Sequence, residues 1–394
     1  MAKNDKTYRI FISAAEPSAD AHCAGLITAL RKSGYDIEFV GVGGPKMAEA
    51  GCSLLESTTG KAAMIYKAFR HVIHFYGLIR RIAGFLKNNK VDLVIVCDSP
   101  SFNFHVAKAA KRAGIKTIFY VAPQLWAWAG WRIRKLRKYC DKLCCILPFE
   151  HDWFSHRGME AVFVGNPLLD EVYPVREPKE KVSNGVNIDL AGRRRKYADF
   201  EPANARFVLV PGSRAAEIDA LWLPMQQIAI RLKQKYPAAT FVTVAVDADR
   251  EKILKAAQIA GFECQYTIGT VGGTAGTCDF AIVASGSATL QVAAAGCPMV
   301  IMYQSSRILW HLIGRWLVKS KYLSLVNILA DKELVPEFMP YFSSIQPIVE
   351  SIEQILNDSD RLAQISGELI DIVEPLAQKK ASEEVAKIAL QMLH

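Results

Sequence analysis

Two turns in the second half of the chain hold residue types that bind anions. In LVPGSRAAEI (209–218) Gly212 permits a tight turn, Ser213 supplies a hydroxyl and free backbone N–H groups, and Arg214 offers a fork of donors matched to phosphate. A helix pattern begins there, and its positive end favours an anion by roughly 0.3–1 kcal/mol. Taken alone, the same residues also describe a surface arginine after a turn. A second turn, SGSAT, places Ser285, Gly286, Ser287, Ala288 and Thr289 after another apolar strand, with Gln291 just beyond. Two such cradles in one domain suit a nucleotide diphosphate. In the first half, Asp98 ends the apolar run VDLVIVCD (91–98). A carboxylate there can serve as a general base, typically contributing roughly 10²- to 10⁴-fold, or it can cap the helix opening near Asn103. The residues alone leave both roles open.

Other chemistries have no residues to carry them. No G-x-x-x-x-G-K-[ST] or G-x-S-x-G motif occurs, and no His/Cys/Asp grouping has metal-ligand spacing, so neither metal nor cofactor is expected. His71 and His74 lie on a basic amphipathic stretch, where a solvated or interfacial role is expected. GVGGPKM (41–47) reads as a loop with a tight turn rather than a dinucleotide site.

These groups need a scaffold that brings strand ends together, and strand and helix patterns alternate almost throughout. Cys278–Ser306 contains one charged residue, Asp279, yet Ser285–Thr289 and Gly296–Pro298 interrupt it. It therefore reads as strand, turn, helix, strand, not as a membrane span. YRIFISA (8–14), IEFVGV, VDLVIVCD, KTIFYVAP and KLCCILPF read as strands of a first block; RFVLVPGSR (206–214) and ATFVTVAVD open a second. Short apolar strands joined by helices predict parallel sheets covered on both faces. The expected fold is α/β, two Rossmann-like β/α domains facing a cleft: 1–172, a Pro- and charge-rich linker over 173–205, and 206–394, with terminal helices packing back on the first domain. Polar residues ending predicted strands should line that cleft: Glu16, Ser18, Asp20, Asp98, Asn166, Ser213, Arg214 and Ser285 to Thr289.

The nine cysteines contain no C-x-x-C pair, and the start MAKNDKTYRIFIS lacks the apolar core of a signal peptide, so a cytoplasmic protein is expected. The net charge of +9 concentrates in 69–90, 131–142 and 307–322, where basic residues mix with aromatic ones. Ile133, Leu136 and Cys140 fall at helical spacing, so the basic residues of 131–142 also fit a merely solvated face. Three such stretches together favour peripheral association with an anionic membrane surface. No nucleic-acid signature accompanies the charge, and no nucleic-acid partner is expected.

Ten motifs, in order, resemble the lipid A disaccharide synthase family of GT-B glycosyltransferases: AEPSAD (15–20), GVGGPKM, CDSPSFN (97–103), VAPQLWAW (121–128), CILPFE (145–150), VGNPLLDE (164–171), LVPGSRAAEI, ASGSATLQ (284–291), GCPMVIMY (296–303) and LVKSKYLSLVNILADKELVPE (317–337). The resemblance implies transfer of diacylglucosamine from UDP-2,3-diacylglucosamine to the 6-hydroxyl of 2,3-diacylglucosamine 1-phosphate (lipid X), by an inverting, metal-independent reaction at the inner face of the cytoplasmic membrane. It also implies roles: Asp98 as base; Ser213, Arg214, Ser285–Thr289, Gln291 and Asn327 on the donor; Glu16, Ser18, Asp20 and Asn103 on the acceptor. Acyl-chain length and oligomeric state, a homodimer among the options, are not fixed by the residues.

Four departures from the family pattern stand out. Ala15 and Ala19 replace glycines, so the backbone there must avoid positive φ or shift. Ser101 replaces an aspartate, Gln291 replaces a ribose-binding glutamate whose acceptor oxygen an amide still offers, and MIYKAF (64–69) lacks a usual glycine and glutamate. An active, divergent enzyme is the reading favoured, with a shifted acyl or acceptor preference as the first alternative. The others are a non-catalytic UDP- or glycolipid-binding paralogue and another UDP-sugar enzyme, such as a peptidoglycan glycosyltransferase or a 2-epimerase.

Overall fold

The structure, a computed structural model, describes residues 6–58, 68–170, 197, 200–269, 271–307, 310, 311 and 320–393. Most of the expected linker, the MIY of 64–66 and most of 307–322 fall outside these residues, as do the side chains of 68–73. The chain divides into two compact units, Met1–Asp170 with Leu376–His394, and Glu171–Pro375.

The first unit is built on seven strands: β1 (Tyr8–Ala14), β2 (Ile37–Gly43), β3 (Ser53–Ser57), β4 (Leu93–Cys97), β5 (Lys116–Tyr120), β6 (Lys142–Cys145) and β7 (Ala161–Phe163). Their order is β3-β2-β1-β4-β5-β6-β7, and every pairing is parallel. Between them run α1 (Pro17–Arg31), α2 (Pro45–Glu49), α3 (Ala68–Asn88), α4 (Pro100–Arg112), α5 (Leu125–Trp128), α6 (Ile133–Tyr139) and α7 (Pro148–Ser155). Strand alternation distributes β1 and β4 between two cores. Phe11, Val94 and Val96 pack with Leu78, Ile82 and Leu86 of α3. Ile10, Ile12, Leu93 and Ile95 pack with Leu26, Ile27 and Leu30 of α1 on the other face. A sheet covered on both faces must be apolar on both, and β4 is buried along its whole length.

The helix Ala381–Leu393 completes the α1 face, with Ala381, Val385, Ala386 and Ala389 forming a helical stripe in that core. Its entry is fixed twice. Asp170 accepts from Ala381 N (2.8 Å), Ser382 N (3.0 Å) and Ser382 Oγ (2.7 Å). Gly165, at φ +91°, leaves room for Lys379, whose carbonyl oxygen a Cβ would meet at 2.3 Å.

The second unit carries β8 (Arg206–Val210), β9 (Thr240–Ala245), β10 (Gln265–Ile268), β11 (Phe280–Ala284), β12 (Met299–Met302) and β13 (Glu337–Phe338) in the order β10-β9-β8-β11-β12-β13, again parallel. The apolar 278–306 stretch is thus β11, a helix Ala288–Ala294 and β12, with β11 wholly buried. Element ends differ from expectation near prolines: β6 stops at Cys145, shortly before Pro148 opens α7, and the stretch 41–47 holds the end of β2 and the first residues of α2, which Pro45 opens, rather than only a loop. Among the described residues, no helix is long and apolar enough to cross a membrane.

Candidate active site

Each sheet reverses its strand order once, between β1 and β4 in the first and between β8 and β11 in the second. Carboxyl ends at such a reversal are where open parallel sheets take ligands. The expected polar residues sort onto these points. Glu16 follows β1 and Asp98 follows β4; Ser213 and Arg214 follow β8, and Ser285 to Thr289 follow β11.

Asp98 and Ser99 are both left-handed, at φ +52° and +41°. For non-glycine residues this costs roughly 1–2 kcal/mol each and persists only where neighbours impose it. Asn103 imposes it: Nδ2 donates to Cys97 O (2.8 Å) and Asp98 O (2.7 Å), while Oδ1 accepts from Ser13 Oγ (2.7 Å). Asp98 N donates to Tyr120 O at 3.0 Å. The turn places Ser99 beside Glu16, whose Oε1 accepts from Ser99 Oγ at 3.0 Å.

Glu16 and Ser99 line a cavity of about 270 Å³; Asp98, next to Ser99 in the chain, is not itself among the lining residues. Its lining also takes Ser101, Glu56, Ser57 and Thr58 at the end of β3, and His74 from α3. Phe75, Leu78 and Phe102 supply its apolar part. Glu56 is nearly buried, paired with His74 Nε2 at 2.6 Å on Oε1 and with Arg81 on Oε2. His74 is therefore a cavity residue, not one side chain of a purely solvated face.

Two expected acceptor residues are structural. Asp20 is buried and accepts from the backbone N–H groups of Gly44 (2.8 Å), Lys46 (3.1 Å) and Met47 (3.1 Å), so it caps α2 instead of facing a ligand. Asn103 is fully buried and spent on the Asp98 turn. Ser18 is exposed on the first turn of α1, outside the cavity lining. Asn166, also expected at the site, is fully buried and caps the 3₁₀ turn Pro167–Leu169 through Leu168 N.

In the second unit Gly212 sits at φ +104°, where a Cβ would meet Glu217 Oε2 at 2.5 Å. Ser213 and Arg214 are exposed, but their N–H groups are not free as the sequence suggests. Both donate to Glu217 Oε2 (3.1 and 3.2 Å), and Arg214 Nη1 donates to Oε1 at 3.2 Å. Glu217 closes a capping box at the start of the helix Ala215–Lys235. Gly286 and Ser287 are exposed, Ser285 and Gln291 are partly buried, and Thr289 is buried with Oγ1 donating to Gly286 O at 2.7 Å. Asn327, expected on the donor, is fully buried: Nδ2 donates to Val335 O and Glu337 Oε2, and Oδ1 accepts from Leu334 N and Val335 N. Both donors and both acceptor positions of the amide are used, so it braces the chain around Glu337.

Glu150 has no role that spacing suggested. Fully buried, it accepts from Trp126 Nε1 (3.0 Å), Ile146 N (3.2 Å) and Leu147 N (3.1 Å), tying the Trp-rich α5 to the start of α7. Burial pushes its carboxyl up to about 7, against the pull of those donors. The missed residues share a trait: Glu56, Glu150 and Glu217 pair with partners distant in sequence or with backbone, which residue spacing does not display. Among the described residues no group of His, Cys, Asp and Glu could hold a metal ion.

The departures fit their surroundings. Ala15 and Ala19 are not among the residues with positive φ; Ala19 packs fully buried in α1 and Ala15 lines the cavity. Ser101 also lines the cavity.

Comparison with known proteins places this geometry. A family model described as Lipid-A-disaccharide synthetase matches residues 10–392. Curated relatives named lipid-A-disaccharide synthase include those of Geobacter sulfurreducens, 31% identical over 98% of both chains, and Myxococcus xanthus, 30% identical over 98% of this chain and 97% of that one. Solved structures of similar fold include a UDP-GlcNAc 2-epimerase from Neisseria meningitidis bound to UDP-GlcNAc (TM-score 0.62, 12% identity, 98% of this chain and 100% of that one). MurG of Acinetobacter baumannii is a second (TM-score 0.55, 14% identity, 98% and 99%). At those identities the epimerase and MurG share the fold alone, whereas whole-length sequence similarity runs to the synthases. The chain belongs to the lipid-A-disaccharide synthase family, hexosyltransferases of the GT-B fold that act in lipid A biosynthesis.

Proposed function

We propose that this chain transfers diacylglucosamine from UDP-2,3-diacylglucosamine to the 6-hydroxyl of lipid X, releasing UDP and the β-1,6 disaccharide 1-phosphate. The observation that carries the reading is the strained Asp98–Ser99 turn at the end of β4, whose Ser99 lines a cavity of mixed apolar and hydroxyl side chains. Strain held at such cost belongs to a group whose position matters.

In this reaction Asp98 takes the proton of the acceptor hydroxyl as its oxygen bonds to C1 of the donor sugar. The C1–O bond to UDP breaks on the opposite face, inverting the carbon, and the electron pair leaves on the diphosphate. Arg214, Ser213 and the 285–289 turn receive that charge, with Gln291 toward the ribose. Glu217 now holds the N–H groups that the diphosphate would use, so UDP binding requires it to turn away.

We place the protein at the cytoplasmic face of an anionic membrane. Trp128 and Trp131 are 41% and 59% exposed beside α6, whose Leu136 is buried while Arg134, Lys135, Arg137 and Lys138 are exposed. Exposed indoles next to a basic face suit a lipid–water boundary.

The test is turnover of the purified protein with both substrates, reading UDP and disaccharide 1-phosphate by mass spectrometry. Product from the wild type, with UDP binding weakened roughly ten-fold or more in Arg214→Ala, is expected. UDP binding without product across several acyl lengths would instead assign a binding protein.

A further inference from the structure

We propose that His74 and Arg81 dock the phosphate of the acylated sugar acceptor, with an acyl chain lying against Phe75, Leu78 and Phe102. This rests on the transferase reading above and adds where and by what chemistry the acceptor is recognised.

The starting observation is Glu56. Its side chain is only 12% exposed, while its partners His74 and Arg81 are 46% and 59% exposed. A carboxylate sunk at the end of a strand is costly unless cations meet it. Both partners come from α3, one on each carboxylate oxygen, so their nitrogen-bearing ends lie side by side. A plain surface ion pair would need neither the burial nor the second partner. Glu56 instead behaves as an anchor that fixes two side chains of α3, of which His74 lines the cavity.

The cavity lining has a composition to match. It holds Glu16 and Ser99, the latter next in the chain to Asp98; it holds Glu56 with His74; and it holds the apolar Phe75, Leu78 and Phe102. A ligand that carries a hydroxyl, a phosphate and an acyl chain fits all three. Arg81 has five N–H donors in a rigid fork, so it can keep Glu56 and still grip a phosphate. Glu56 is then a positioning residue, and His74 and Arg81 are the contacts.

The experiment compares lipid X with its dephosphorylated form, 2,3-diacylglucosamine, in Arg81→Gln and Arg81→Lys. For Arg81→Gln we expect KM for lipid X to rise about 10- to 100-fold with kcat nearly unchanged, and no difference from wild type with the dephosphorylated acceptor. Arg81→Lys should recover part of the loss, having the charge without the fork. An equal rise with both acceptors, or no rise, overturns the proposal. Equilibrium binding of lipid X in the absence of donor separates this inference from the reaction: wild-type binding that Arg81→Gln weakens supports the docking point even if no disaccharide forms. Displacement of lipid X by phosphatidylglycerol micelles at comparable concentration would assign the pocket to bulk membrane lipid and overturn it.

Discussion

After β4 the chain spends polar residues on building a turn. Asn103 uses three hydrogen bonds to hold Asp98 and Ser99 left-handed, and Asp20 uses its carboxylate to cap α2. After β8 and β11 the polar residues stay exposed, and the one carboxylate nearby, Glu217, occupies donors that a ligand would need. The same strand order thus supports two different devices. A base must sit at a fixed distance from one proton, which rewards a rigid, strained turn. A group that receives and releases a diphosphate must exchange partners, which rewards donors held by a replaceable neighbour.

Breaking the rigid device should have the largest effect. Asp98→Asn is expected to lower the rate of disaccharide formation by roughly 10²- to 10⁴-fold while UDP affinity, measured by calorimetry, stays at the wild-type value. Equal turnover would remove Asp98 from the mechanism. Asn103→Ala should act through stability, at about 3–5 kcal/mol in urea unfolding, because it leaves the Ser13 hydroxyl and two carbonyls buried without their partner. A stable Asn103→Ala protein would mean the turn holds itself.

Glu150 tests a buried carboxylate outside both turns. Its pKa is raised in the folded state to about 7 from 4.5, so the folded protein binds more protons than the unfolded chain between those values. Its stabilising contribution is complete below pH 4.5 and is lost as pH rises to 7, on the order of 3 kcal/mol. Melting temperatures of Glu150→Gln should therefore gain on wild type across that window. Parallel pH profiles would contradict it. The smallest effect is expected at the exchangeable device: Glu217→Gln keeps the capping geometry, so stability should change by about 0.5 kcal/mol or less, while UDP binds a few-fold tighter once the competing charge is gone. Unchanged UDP affinity would separate Glu217 from the nucleotide.

Sequence patterns were sufficient for what is periodic or local. Apolar runs such as VDLVIVCD and DFAIVA, with turn residues at their ends, located the strands and put Asp98, Ser213 and Ser285 at carboxyl ends. They could not say which polar residues face outward. Asp20 and Ser18 are neighbours in one motif, yet one is buried as a cap and the other is exposed, because helix phase and the distant α2 decide. Asn327 looked like a ligand contact for the same reason: a polar residue in a specific motif can serve the backbone around it. β3 and its Glu56 are not legible in the sequence because SLLES is short and half-exposed, and the partners of Glu56 come from a helix more than a dozen residues later.

The last helix has a consequence for manufacture. The first unit's α1 face is finished by Ala381–Leu393, seated by Asp170, so a ribosome that has made residues 1–170 has not yet made all of that unit. Until some 200 further residues emerge, the core on the α1 face lacks Ala381, Val385, Ala386 and Ala389. The second unit, continuous in the chain, waits for nothing downstream. During synthesis the half that carries the Asp98 turn is the later of the two to reach its final form, and a nascent chain stalled near its end exposes an apolar patch that quality control can recognise.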